Sequence, residues 1–166
     1  MTWHSSIIFF LIALLLSACG VGGTSNRAQT ERVRGSWAFS HPSASPSTMS
    51  VNLVGELEAF PDEPGTFYTY GLTNRGMRSL AWYDVEREVY VLGYSDGNKD
   101  HIYLFNFFES DKVDGCYIQV LGETSSGCMY AEGARSAAEG LFVATQAPAS
   151  SDAASILKTY REIRTK

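Results

Sequence analysis

From residue 34 to about residue 131, apolar and polar residues alternate with period two in short runs, and that alternation constrains the fold more than any other feature of the chain. It is clearest over residues 49–60. There Met49, Val51, Leu53, Leu57 and Ala59 fall on one side of an extended chain, and Ser50, Asn52, Glu56 and Glu58 on the other. Further runs occupy 36–40, 66–72, 77–83, 88–94, 101–108, 116–121 and 128–131, rich in the aromatic and β-branched residues that a pleated, half-buried surface favours. Turn-forming segments separate them: Pro-Asp-Glu-Pro-Gly at 61–65, Thr-Asn-Arg-Gly at 73–76, Ser-Asp-Gly-Asn at 95–98 and Gly-Glu-Thr-Ser at 122–125. Links this short cannot hold crossover helices, so neighbouring strands pair antiparallel. The expectation is an all-β domain: an antiparallel meander of about eight strands forming a small barrel or sandwich.

Past Pro148 the period changes. Ser150 and Ser151 can cap a C-terminal α-helix on which Ala153, Ile156, Leu157, Tyr160 and Ile163 share one face. Lys158, Arg161, Arg164 and Lys166 suit the negative end of its dipole. Between strands and helix, 141–146 reads as a last strand, with a helix over 134–142 as the competing assignment.

The chain has 166 residues, 45% of them hydrophobic, which suffices for one compact domain. Lys and Arg number 13 against 18 Asp and Glu, a net charge of -5, so a nucleic-acid backbone would meet repulsion. Nucleic acid is therefore excluded as a partner, and no cofactor or metal site is expected.

Residues 7–16 read IIFFLIALLL. As a helix this run is about 15 Å long, roughly half a hydrocarbon core, so it is too short to span a bilayer but suits a secretory signal. Ser17 and Ala18 supply the small residues a signal peptidase accepts. The organisation expected is a signal peptide over 1–18, a solvated tether over 19–33 and the folded domain over 34–166.

Leu16-Ser17-Ala18-Cys19, placed directly after the apolar run and followed by Gly20, resembles the lipobox of bacterial lipoproteins. The resemblance implies cleavage before Cys19, a diacylglyceryl group on its sulfur and, in many bacteria, acylation of the new amino group. Each buried methylene contributes roughly 0.8 kcal/mol and stable anchoring takes more than one acyl chain, which agrees with that modification. The location implied is the cell envelope, with the membrane reached through the lipid anchor. In a cell with an outer membrane, Gly20 after the cysteine resembles lipoproteins sent there, facing the periplasm.

With Cys19 assigned to lipid, Cys116 and Cys128 remain, an even pair in an exported chain, flanking a hairpin centred near Gly122. A disulfide between them is expected. A metal or redox thiol pair fits less well, since CxxC spacing is absent and the segment contains no His.

Other patterns have local explanations. Gly93-Tyr94-Ser95-Asp96-Gly97 matches G-x-S-x-G, but a strand-like run follows where a nucleophile elbow needs a helix, so catalysis by Ser95 is not expected. Asp96, Asn98 and Asp100 resemble the opening of a calcium loop, yet His101 and Phe107 stand where its glycine and final carboxylate belong. Asp84, Glu86 and Glu88 read as charges on an exposed turn.

Gly35-Ser36-Trp37 opens the first strand, a long loop follows, and about eight antiparallel strands and a helix complete the chain. That order resembles the lipocalin and wider calycin group. In it a Gly-x-Trp motif opens a barrel, the Trp plugs its closed end, and an arginine near the last strand packs over that ring; Arg135 holds the corresponding place. The resemblance implies a non-enzymatic barrel binding a small apolar ligand, with Leu53, Leu57, Phe67, Val91, Tyr103 and Phe105 as candidate lining residues. The alternative is a structural or interaction lipoprotein that turns Tyr68, Tyr70, Tyr90, Tyr94 and Trp82 towards a cell-envelope protein.

Overall fold

The computed structural model describes residues 25–40, 48–136 and 150–165. The apolar leader, Cys19, residues 20–24 and the expected strand at 141–146 lie outside the described residues. In chain order the elements are α1 (Asn26–Arg32), β1 (Gly35–Ser40), β2 (Thr48–Leu53), β3 (Glu58–Phe60), β4 (Glu63–Thr73), β5 (Arg78–Asp84), β6 (Val89–Ser95), β7 (Asp100–Phe107), β8 (Lys112–Leu121), β9 (Thr124–Ser125), β10 (Met129–Arg135) and α2 (Ser150–Arg164).

Every strand pairing is antiparallel, and β4 to β8 pair in chain order as short links require. The ring closes because β10 bonds on both edges: Trp37 lies opposite Arg135 on the β1 side, and Val113 opposite Gly133 on the β8 side. The result is a closed eight-stranded antiparallel barrel of β1, β2, β4–β8 and β10, with β3 and β9 as short additions. Closure leaves these strands no free edge, so the backbone donors and acceptors that an open sheet would expose are bonded.

Alternate residues point to two separate apolar clusters. One fills the lumen with Trp37, Phe39, Val51, Leu53, Tyr90, Leu92, Tyr94, Tyr103, Phe105, Val113 and Tyr117. The other lies outside, where Ala153, Ile156, Leu157 and Tyr160 of α2 cover Phe60, Tyr68, Leu80, Trp82, Val91 and Ile102. Gly93 lets α2 come close, since a Cβ there would sit 2.4 Å from the Ile156 side chain.

Three expectations change. First, 49–60 is not one strand. β2 ends at Leu53, Gly55 donates to the Tyr70 carbonyl at 2.8 Å, and β3 resumes with Phe60 under α2. The irregular residues between reset the alternation, leaving Leu57 half-buried and Ala59 exposed.

Second, the stretch read as a solvated tether contains α1. Ser25 caps it by accepting from Ala28 N–H at 3.3 Å. Asn26 bonds the Tyr83 carbonyl and Phe67 N–H, and Thr30, one helical turn later, bonds the Phe67 carbonyl and Tyr83 N–H. These two polar side chains replace the ladder bonds that β4 and β5 would otherwise exchange at this point. A helix docked by Asn and Thr carries no apolar stripe, so hydrophobic periodicity passes over it.

Third, Asp84 is not an exposed charge. Its Oδ1 accepts from Glu86 and Arg87 N–H, and its Oδ2 accepts from the Tyr160 hydroxyl at 2.6 Å and from Arg164. Burial acts to raise its pKa, but the Tyr160 hydroxyl, the two turn N–H groups and Arg164 outweigh it and hold the carboxyl below the ordinary value.

Cys116 and Cys128 are disulfide-bonded, with Cα atoms 5.3 Å apart. The bond ties the middle of β8 to the residue that precedes β10. Replacing both cysteines by serine is expected to lower stability by about 3 kcal/mol, the chain-entropy value for so short a loop. Urea unfolding of the two forms measures the difference; equal midpoints would show that the β8–β10 ladder holds the hairpin without help.

Candidate functional site

Strand direction gives the barrel two unlike ends. At the end where β1 begins, α1 lies across the opening and Trp37 plugs it. The Trp37 indole N–H donates to the Val33 carbonyl at 2.7 Å, and its ring meets Phe107 edge-on at 5.6 Å. Arg135 lies over the same ring, 4.5 Å from guanidinium carbon to centroid, and donates to the Arg32 and Arg34 carbonyls. Arg32 covers Phe107 at 4.5 Å and reaches the Tyr90 hydroxyl at 3.1 Å. Trp37 and Arg135 thus close this end together.

The opposite rim carries polar aromatics. Tyr94, His101 and Gln119 are register neighbours across β6, β7 and β8, and Tyr103 faces Tyr117 one step deeper. His101 stacks on Tyr94 with ring centroids 4.5 Å apart. One imidazole nitrogen meets the Tyr117 hydroxyl, and the other lies 3.1 Å from the Asp96 carboxylate. Gln119 donates to the Tyr117 hydroxyl at 2.8 Å. N–H donors from Asn98 and Lys99, and then His101, hold the Asp96 carboxyl at about 2. Burial, reinforced by neighbouring phenols, pushes the Tyr94 and Tyr103 hydroxyls far above the usual tyrosine range. The rim therefore holds buried neutral phenols, a half-buried amide and a buried, oriented imidazole, joined to one another by hydrogen bonds and stacking. The sequence reading sets Tyr94 among the partner-facing aromatics and Tyr103 among the lining residues; the missing signal was the cross-strand register, which brings Tyr94, His101, Tyr103 and Tyr117 to one face and His101 to Asp96.

Between plug and rim the lumen is filled. Phe39 contacts Tyr103 at 5.0 Å and Phe105 at 5.4 Å, Tyr90 stacks on Phe105 at 5.7 Å, and Tyr103 meets Tyr117 at 4.8 Å. Small residues make room for these rings: a Cβ on Gly133 would sit 2.8 Å from Phe39. Of the six candidate lining residues, Leu53, Tyr103 and Phe105 belong to this packed interior. Val91 points the other way and lies under α2, Leu57 is half-buried beyond the end of β2, and Phe67 sits beside α1 with the Arg27 guanidinium 4.9 Å from its ring. The structure does not bring the six together. The five aromatics considered for a partner-binding face are also divided. Tyr90 and Tyr94 lie in the lumen, Tyr68 and Trp82 are buried beneath α2, and Tyr70 is half-buried beside that outer cluster.

Clefts of about 310 and 460 Å³ flank α2 outside the barrel, and one of about 260 Å³ is lined by Ala38, Phe108, Lys112 and Glu132. Ser95 lines the largest of these, with its hydroxyl donated to the Lys99 carbonyl, on the opposite face of the sheet from His101. Nucleophile and base are thus separated by the sheet. Asp96 and Asp100 are likewise parted: Asp96 serves its turn and His101, whereas Asp100 accepts from the Thr159 hydroxyl of α2. Among the described residues no group of three His, Cys, Asp or Glu is placed to hold a metal ion, and no helix is long and apolar enough to cross a membrane. No family model matches the chain, and no curated protein or solved structure matches it either.

Proposed function

We propose that this chain is a lipid-anchored protein of the bacterial cell envelope whose barrel is a rigid, non-enzymatic recognition module, meeting an envelope protein through its rim and outer surface. The observation that carries this reading is the aromatic filling of the lumen. Rings in mutual contact from Trp37 to Tyr117 occupy the space where a lipocalin-like carrier would hold its apolar ligand. The lipid anchor rests on the LSAC sequence at 16–19 after its apolar run. Separation of Ser95 from His101 supports a role without hydrolysis.

Two measurements on the natively purified protein test the reading. Titration with the apolar dye N-phenyl-1-naphthylamine is expected to give no saturable fluorescence rise; saturable binding lost on Leu92→Trp would return the barrel to a carrier role. A photo-crosslinking residue at the exposed Tyr130 position, outside the barrel near the disulfide, is expected to trap one discrete envelope protein in cells. Failure to trap any protein there or at the exposed Leu121 position would remove the recognition role.

A further inference from the structure

We infer that the α1-capped end of the barrel rests on the same lipid surface that holds Cys19, with Val54, Val85 and Phe108 as its contact points, so that the rim of Tyr94, His101 and Tyr117 faces away from the membrane. This inference rests on the lipid-anchor reading above. It starts from a length. Asn26 already belongs to the folded body, through α1, so at most a few residues separate that body from Cys19. Fully extended at roughly 3.5 Å per residue, the link from residue 19 to residue 26 reaches about 25 Å at most. A link of that length keeps the body within reach of the surface, and α1 is where the link enters it.

Register then identifies what lies at that end. Gly35, the first residue of β1, faces Leu53, which puts Val54 beside the start of the barrel. Asp84 faces Val89 and Phe107 faces Val113, so the turns carrying Val85 and Phe108 emerge at the same end. Val54, Val85 and Phe108 are 38%, 54% and 57% exposed, three of the five large apolar side chains left in solvent among the described residues. Charges of both signs surround them: Arg34 pairs with Glu31 at 2.7 Å, Lys112 with Glu109 at 2.8 Å and Glu86 with Arg164 at 2.9 Å, while Glu56, Glu88 and Asp111 are exposed and make no ion pair among the described residues. Mixed charge of this kind favours no electrostatic attraction to the surface, which leaves the apolar tips as the groups that gain by leaving water.

The test uses the full lipidated protein in vesicles of phosphatidylethanolamine and phosphatidylglycerol with brominated acyl chains, which quench tryptophan on contact. Val85→Trp and Phe108→Trp are compared with Leu121→Trp, an equally exposed site at the opposite end. After subtraction of the unsubstituted protein's signal, emission at 85 and 108 is expected to be lost, while emission at 121 is unchanged. Intact mass reads the lipid on Cys19 separately. An unlipidated product would overturn the anchor reading. A lipidated product quenched at 121, or equally at all three positions, would overturn the orientation and leave the anchor standing.

Discussion

Trp37→Ala is expected to cost about 3–5 kcal/mol, the usual range for removing a large buried aromatic from a core. Trp37 is 1% exposed, and its loss would leave the plugged end with a void between Phe39 and Phe107. The Val33 carbonyl would lose its donor and the Arg135 guanidinium its aromatic face. Against a typical total of roughly 5–15 kcal/mol, that loss removes much of the stability of a small barrel. Urea unfolding followed by near-ultraviolet circular dichroism measures it. Arg135→Ala is expected to cost less, about 1 kcal/mol, because the arginine is exposed and the stack contributes modestly at such sites. If the two substitutions proved equal and small, Trp37 would not be the plug of this barrel.

Raising the pH is expected to unfold the protein cooperatively above about pH 10, the ordinary tyrosine value. Burial raises the hydroxyls of Tyr90, Tyr94, Tyr103 and Tyr117 in the lumen, and of Tyr68 and Tyr160 outside it. The sign follows from linkage. Below pH 10 both states keep these protons and stability is full; above it the unfolded chain releases protons that the folded chain retains, so stability falls until the folded groups ionise as well. Each such phenol removes about 1.4 kcal/mol per pH unit over that interval. Phenolate absorbance near 295 nm is therefore expected to rise in one step together with the loss of near-ultraviolet dichroism. Smooth ionisation near pH 10 with the fold intact would show that water reaches the lumen.

The elements legible in the sequence were those whose physics is local. All eight expected runs within the described residues overlap observed strands because their turns, such as Asp96-Gly97, fix the reversals through backbone angles that need no tertiary help. α2 was legible because Ala153, Ile156, Leu157 and Tyr160 recur at helical spacing, and all four are buried. The pairing of Cys116 with Cys128 followed from counting sulfurs. α1 was missed because Asn26 and Thr30 dock it through hydrogen bonds to strands far along the chain. The rim was missed because Asp96, His101 and Tyr117 meet only when β6, β7 and β8 lie side by side.

By itself the amino-acid sequence determined where strands, turns and the last helix fall, and which residues alternate, since φ/ψ preference and apolar period act over a few residues. Tertiary structure alone decided that the meander closes, through β10 bonding both β1 and β8, and which alternate set became the lumen. Val91 and Leu92 show why: both are 0% exposed, one under α2 and one inside the barrel. Where both faces of a strand are covered, period two separates the faces without saying which is inside. Whether that interior is hollow or filled rests on the sizes of rings that meet across the barrel, and no single strand carries that information.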